Sequence, residues 1–99
     1  GENIENYGQL ELNGSKDIGI AYNSKSISSS TPTLVKNFSD IKINKNGSIG
    51  IYSKILQNRP YIIENQGNII INYQGQDKKN SAIGIHTEDV LGKIVNTPV

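Results

Sequence analysis

The chain has 99 residues with ten Lys and Arg against nine Asp and Glu, which gives a formal net charge of +1. This length suits a single domain, and the balanced, dispersed charge argues against a nucleic-acid partner. With no Cys and a single His, the chain has no disulfide framework and no thiolate metal site, so we expect no metal and no cofactor. No apolar run approaches 18 residues, so we expect no membrane insertion by this segment.

The residue types that dominate the chain are typical of short strands and frequent turns. There are 17 Ile, 13 Asn, 10 Gly and 10 Ser, against 5 Leu and 2 Ala. β-Branched side chains lose rotamer freedom on a helix and pack well on a pleated strand. Asn, Gly and Ser supply the turns. The composition therefore predicts an all-β fold.

An internal repeat organises the sequence. Its first element, Ile-Glu-Asn at 4–6, recurs as Val-Lys-Asn at 35–37, as Ile-Glu-Asn at 63–65 and as Ile-Val-Asn at 94–96. The asparagines that end these elements lie 31, 28 and 31 residues apart, and they are Asn6, Asn37, Asn65 and Asn96. Fixed-period self-similarity is the signature of a repeat architecture. The spacing predicts repeats at about 4–34, 35–62 and 63–93, with the start of a fourth at 94–99.

Two further elements follow in each repeat. The second lies at 10–12, 41–43 and 69–71, and in the first two repeats it alternates apolar and polar residues, as a half-buried strand does. The third is Ile-Gly-Ile, at 18–20, 49–51 and 83–85. Alternation predicts that its isoleucines point inward and that Gly19, Gly50 and Gly84 form an outward ladder. Such a ladder would mark either a bend or a shallow strip that a sugar ring or another backbone can approach closely.

A single repeat cannot bury its isoleucines, whereas stacked repeats can, so the sequence predicts a parallel β-solenoid of about three coils. Stacking would place Lys36 between Glu5 and Glu64, and opposite charges on neighbouring strands favour that register. The repeated asparagines would form an amide ladder at one turn. The neighbouring repeats of the same chain would be its first partners, and open sheet edges would favour pairing with another chain.

Candidate ligand contacts lie after the third element and in the insertion of the third repeat. Tyr52 and His86 share one outward position, where aromatic rings could stack on sugars. The insertion carries Asp77, Lys78 and Lys79, which could contact an anionic glycan or simply form a solvated loop tip. His86, with the Glu88–Asp89 pair two and three residues on, could also be a catalytic base, although a solvent-facing strand residue is the favoured interpretation.

The phrases Ile63 to Asn72 and Ser48 to Tyr52 resemble the passenger repeats of large autotransporter adhesins of fusobacterial type. The resemblance covers roughly residues 4–96. It implies a right-handed parallel β-helix with protruding corner loops, exported and displayed from the outer membrane on the bacterial cell surface. It also implies adhesion to host cells or other bacteria through a surface receptor, either protein or glycan. Because a signal segment and a C-terminal membrane barrel are missing, we expect an excised piece of a longer passenger.

Two functions fit the repeat pattern and the resemblance. The first is a non-catalytic surface segment that binds through corner loops at 23–33, 53–60 and 73–80. The alternative is a β-helical polysaccharide-binding or polysaccharide-degrading protein, similar to tailspikes or lyases. A degrading enzyme would need acidic residues clustered across adjacent coils. The outward positions instead alternate in charge, so the sequence predicts no enzymatic activity.

Overall fold

The computed structural model describes residues 3–23, 33–54, 61–72, 81–88 and 92–97. Within these ranges the chain forms strands and no helix, which confirms the predicted all-β fold. The strands are β1 (Asn3–Asn6), β2 (Leu10–Leu12), β3 (Ile18–Asn23), β4 (Thr33–Asn37), β5 (Ile41–Ile43), β6 (Ile49–Lys54), β7 (Tyr61–Asn65), β8 (Ile69–Ile71), β9 (Ile83–Glu88) and β10 (Gly92–Asn96).

The strands assemble into three parallel sheets, one for each element of the repeat. Their orders are β1-β4-β7-β10, β2-β5-β8 and β3-β6-β9. Each strand therefore pairs with the strand one coil further along the chain rather than with its neighbour in sequence. This is a parallel β-solenoid of about three coils, as predicted, and β10 begins a fourth.

The pairing register follows the sequence repeat. Ile4 pairs with Val35 and Val35 with Ile63, so equivalent residues stack directly. Glu5 lies beside Lys36, and Lys36 lies beside Glu64, in the predicted alternation of charge. A slip of one residue would turn these charges toward the core and the apolar residues toward water. Where a strand alternates polar and apolar residues, as β1 and β4 do at these positions, that pattern fixes the register.

The core lies between the three sheets and is best sealed in the second coil. Its apolar side chains are fully buried where a coil covers them on both sides, as for Val35, Ile41, Ile43, Ile51 and Ile63. Burying one such side chain stabilises the fold by about 1.5–3 kcal/mol. In the last coils Ile71 and Ile94 remain about half exposed, because no complete coil follows them among the described residues.

The prediction for the Ile-Gly-Ile element is confirmed for its second isoleucine, since Ile20 and Ile51 are buried, and wrong for its first isoleucine and its glycine. The first isoleucine of β3, Ile18, is 46 % exposed, while the glycine turns toward the interior. A Cβ on Gly19 would lie 3.4 Å from Leu12 Cδ1 and 2.7 Å from the Gly50 carbonyl oxygen. The pairing between coils steps from Ile18 directly to Ile20 without including the glycine, so alternation fails there.

The three glycines Gly19, Gly50 and Gly84 therefore do not form an outward strip. Gly50 is buried, and a Cβ on it would lie 2.7 Å from the Gly84 carbonyl oxygen. Glycine is needed at this position because successive backbones approach closely, which is the usual reason for a glycine inside a strand. Of the predicted roles, the close approach of another backbone is present within the stack at Gly19 and Gly50, whereas an outward strip open to a sugar ring is not formed by these glycines.

Candidate functional site

A column of outward side chains on the third sheet brings together two of the predicted contact residues. Ala21 on β3 pairs with Tyr52 on β6, and Tyr52 pairs with His86 on β9. The Tyr52 and His86 rings are nearly parallel, with an interplanar angle of 3° and centroids 5.6 Å apart. Parallel pairing places equivalent side chains at the spacing between strands, which suits offset ring stacking.

Glu88 fixes the orientation of both rings. The Tyr52 hydroxyl donates a hydrogen bond of 3.0 Å to Glu88 Oε2, and His86 Nε2 lies 3.5 Å from Glu88 Oε1. The bond from Tyr52 is the main cause that lowers the pKa of Glu88, and the same bond raises the pKa of Tyr52. The acceptor is therefore ionised and the donor protonated at neutral pH, so the contact persists there.

A second outward column on the same face carries the charges. Asn23 pairs with Lys54, and Lys54 pairs with Glu88. The attraction of Lys54 also lowers the pKa of Glu88, though less than the hydrogen bonds from Tyr52 and His86 do. Ala21 and Asn23 are both exposed, so the face of the first coil is open and neutral beside the aromatic pair.

A similar stack lies at the turn that follows the first sheet. The rings of Tyr7 and Phe38 have centroids 4.8 Å apart and an interplanar angle of 10°. The Tyr7 hydroxyl donates to Glu5 Oε2 at 2.7 Å, which lowers the pKa of Glu5. Tyr7 is 68 % exposed and belongs to the first coil.

The four repeated asparagines form an amide ladder along the stack. Asn6 donates to Asn37 at 2.8 Å, Asn37 donates to Asn65 at 2.8 Å, and Asn65 donates to Asn96 at 2.9 Å. The Nδ2 atoms of Asn6, Asn37 and Asn65 also donate to the carbonyl two residues on. This second bond requires the nitrogen on the turn side, so the network itself fixes the orientation of each amide. The ladder is structural because its inner members are buried.

Comparisons with protein-family models, with curated proteins and with solved structures found no match. Within the described ranges there is also no helix long and apolar enough to cross a membrane.

The described part of the chain holds no group of three or more His, Asp or Glu side chains that could bind a metal ion. A cleft of about 510 Å³ opens at the end of the solenoid where the fourth coil begins. Its lining is Asn65, Asn68, Ile69, Ile70, Ile71, Gly84, Ile85 and Asn96. None of these described lining side chains titrates, so they offer no acid or base.

Other predicted contacts lie outside the described residues. These are Asp77, Lys78 and Lys79 of the insertion, together with Asp89 and most of the corner loops. Tyr52 and His86 are therefore the predicted contact residues that the structure brings together, and Glu88 joins them. The partnership of Glu88 with Tyr52 was missed, since the bond runs diagonally between coils and its sequence separation is 36.

A second amide ladder was also missed. Asn44 donates to Asn13 at 2.7 Å, and Asn72 donates to Asn44 at 2.9 Å, at an exposed corner. Its sequence separations, 31 and 28, equal the first two of the buried ladder, so the spacing held the signal. Exposed amides gain little from one another because water competes for the same bonds.

Proposed function

We propose that this chain is a non-catalytic coil segment of a bacterial surface passenger displayed from the outer membrane, and that it acts in adhesion to host cells or other bacteria. The resemblance to autotransporter passenger repeats motivates the cellular setting. The regular stacking of three parallel coils supports it, since such coils extend readily into long displayed solenoids. The observation that carries the binding role is the outward Tyr52–His86 stack held by Glu88.

The aromatic stack has the properties of a contact surface. Its rings are rigid and are fixed in orientation before a ligand arrives, so little conformational entropy is lost on binding. Tyrosine and histidine combine an apolar ring with a polar group, which favours exposed recognition sites. The sequence also predicted ligand contacts in the corner loops. Most of those loops lie outside the described residues, and the predicted contacts that are described, Tyr52 and His86, lie on the face of the third sheet.

The alternative function, polysaccharide degradation, would place Glu88 as a catalytic acid. A general acid at neutral pH needs a raised pKa, commonly through burial or a second nearby carboxylate. The pKa of Glu88 is lowered, and no acidic residue of the described ranges is among the groups that shift it. Glu88 thus behaves as a hydrogen-bond acceptor for the rings. Release of sugar fragments by the purified chain, abolished in Glu88→Gln, would favour the enzyme instead.

Adhesion is tested with beads coated with the chain and applied to epithelial cells and, separately, to bacteria. We expect coated beads to bind one of these surfaces well above beads carrying an inert protein. The double variant Tyr52→Ser, His86→Ser should lose most of that binding. Tyr7→Ser is the matched control, because Tyr7 is an exposed tyrosine bonded to a glutamate in another stack. Wild-type beads that bind neither surface would contradict the proposal.

A further inference from the structure

The aromatic column of the third sheet lacks a ring in its first coil. Tyr52 has His86 stacked on one side, and its partner on the other side is Ala21. Ala21 is exposed and carries a single methyl group, so the second face of the Tyr52 ring is not covered by a ring of the first coil. We infer that this gap is a saccharide subsite, in which the ring of an acidic sugar stacks on Tyr52 and its carboxylate pairs with Lys54.

The shape of the gap suits one ring. Neighbouring parallel strands lie about 4.8 Å apart, so a missing side chain in an outward column leaves roughly the thickness of one stacked ring. A pyranose presents a flat face of C–H groups, and these pack against the electron-rich face of an aromatic ring. The Tyr52 hydroxyl is bonded to Glu88, which holds the ring in place for such a contact.

The charges around the gap select an acidic sugar. Lys54 and Asn23 stand in the neighbouring column, and both are exposed. They offer an ammonium group and an amide donor to a carboxylate lying over the first coil. The carboxylate of Glu88 is one coil further away and already accepts from Tyr52. A cationic ligand would meet Lys54 first, so the aromatic ring is not arranged for cation binding.

The Tyr7–Phe38 stack does not share this arrangement. Both tyrosines donate to a carboxylate, but Glu88 lies one coil beyond Tyr52, on the side away from the gap. At the other stack the order of the charges is reversed, because Glu5 lies in the same coil as the exposed Tyr7 ring and Lys36 lies one coil further on. An acidic sugar would be repelled there. The inference rests on the proposed function, because it names the class of glycan that the adhesive face would take, and it makes the Tyr52 face distinguishable from the Tyr7 face.

The test is a titration of the full chain, followed by the amide signals in nitrogen–proton NMR spectra. The two probes are methyl α-D-galacturonoside and methyl α-D-galactoside, which differ by a carboxylate in place of a hydroxymethyl group. We expect shifts centred on Ala21, Asn23 and Tyr52, with the acidic probe binding about two- to fivefold more tightly, as one exposed ion pair allows. Lys54→Gln should abolish this preference without abolishing the shifts.

Filling the gap provides the decisive variant. Ala21→Tyr should add the missing ring and eliminate the shifts with both probes, whereas the control Ala21→Ser leaves the gap open and should bind as the wild type does. Unchanged signals of the buried isoleucines would show that both variants fold.

The absence of shifts at Tyr52 up to about 50 mM of either probe, or wild-type binding by Ala21→Tyr, would overturn the inference. Bead adhesion that persists without any sugar shift would refute this subsite and leave the proposed function standing. Sugar shifts without bead adhesion would refute the proposed function and leave the saccharide subsite standing.

Discussion

Replacing Asn37 with alanine removes an inner member of the buried amide ladder. The Asn37 side chain accepts from Asn6 at 2.8 Å, donates to Asn65 at 2.8 Å and donates to the Ser39 carbonyl at 2.6 Å. Asn37 is fully buried, and Asn65 is 2 % exposed. The substitution therefore removes three hydrogen bonds and leaves the Asn65 Oδ1 atom without its donor in a place that water reaches poorly.

The expected loss follows from these contacts. Three hydrogen bonds contribute about 1 kcal/mol each, and an unsatisfied buried acceptor adds a penalty of about 1–2 kcal/mol. We therefore expect Asn37→Ala to lower the free energy of unfolding by about 3–5 kcal/mol. This is a large part of the total stability of a small domain, commonly 5–15 kcal/mol. The midpoint of thermal unfolding should fall by about 12 °C or more.

The exposed ladder provides a matched control. Asn44 is also the middle asparagine of a ladder, bonded to Asn13 at 2.7 Å and to Asn72 at 2.9 Å, but at an exposed corner. Asn44→Ala should cost less than about 1 kcal/mol, because water replaces the lost bonds. Urea unfolding followed by circular dichroism measures both variants. Equal losses for the two, or a loss below about 1 kcal/mol for Asn37→Ala, would refute the argument that burial gives the ladder its strength.

Three further outcomes are expected. In Gly50→Ala the new Cβ would lie 2.7 Å from the Gly84 carbonyl oxygen, so we expect the free energy of unfolding to fall by about 1–3 kcal/mol, measured in urea. In the control Gly84→Ala the nearest contact is at 3.7 Å, so the free energy of unfolding should change little. Equal urea midpoints for the two variants would contradict this. Lys16 has a φ of 61°, a conformation that glycine adopts more readily than lysine. Lys16→Gly should therefore raise the free energy of unfolding by roughly 0.5–1 kcal/mol, seen as a higher thermal midpoint. A lower midpoint would count against strain at this position. The hydrogen bond from Tyr52 is the main cause that holds the pKa of Glu88 below its ordinary value of 4.5. This contact therefore stabilises the fold above that pH, and the stabilisation is lost as the pH falls through the lower folded-state pKa. In Tyr52→Phe the Glu88 carboxyl carbon should titrate at higher pH by NMR, and an unchanged titration midpoint would exclude the bond.

The repeat spacing was sufficient to predict which residues stack. Because equivalent positions recur at 31 and 28 residues, the partners of Glu5 and Asn6, and the shared column of Tyr52 and His86, followed from the sequence alone. Parallel in-register pairing converts a linear repeat directly into columns of neighbours. Composition predicted the all-β class, and the repeat spacing then predicted the stacking of the coils.

Local departures from regular strand geometry do not follow from the repeat spacing. Strict alternation predicts that Gly19 points outward. The pairing between coils joins Ile18 and Ile20 but not Gly19, and this glycine instead approaches the Gly50 carbonyl. The left-handed conformation of Lys16 was equally hidden, since lysine rarely adopts it. The bond from Tyr52 to Glu88 depends on side-chain directions across two columns, which a one-dimensional spacing does not encode.

The central claim is that coil stacking places Tyr52 between the open Ala21 position and the ring of His86, because both the adhesive surface and the sugar subsite depend on it. Nuclear Overhauser contacts between the rings of Tyr52 and His86 test it directly, and they are easily assigned because the chain has a single histidine. We expect ring-to-ring contacts, with upfield-shifted imidazole protons that return to ordinary positions in Tyr52→Leu. Imidazole protons at ordinary positions in the wild type, with no contact to Tyr52, would contradict it.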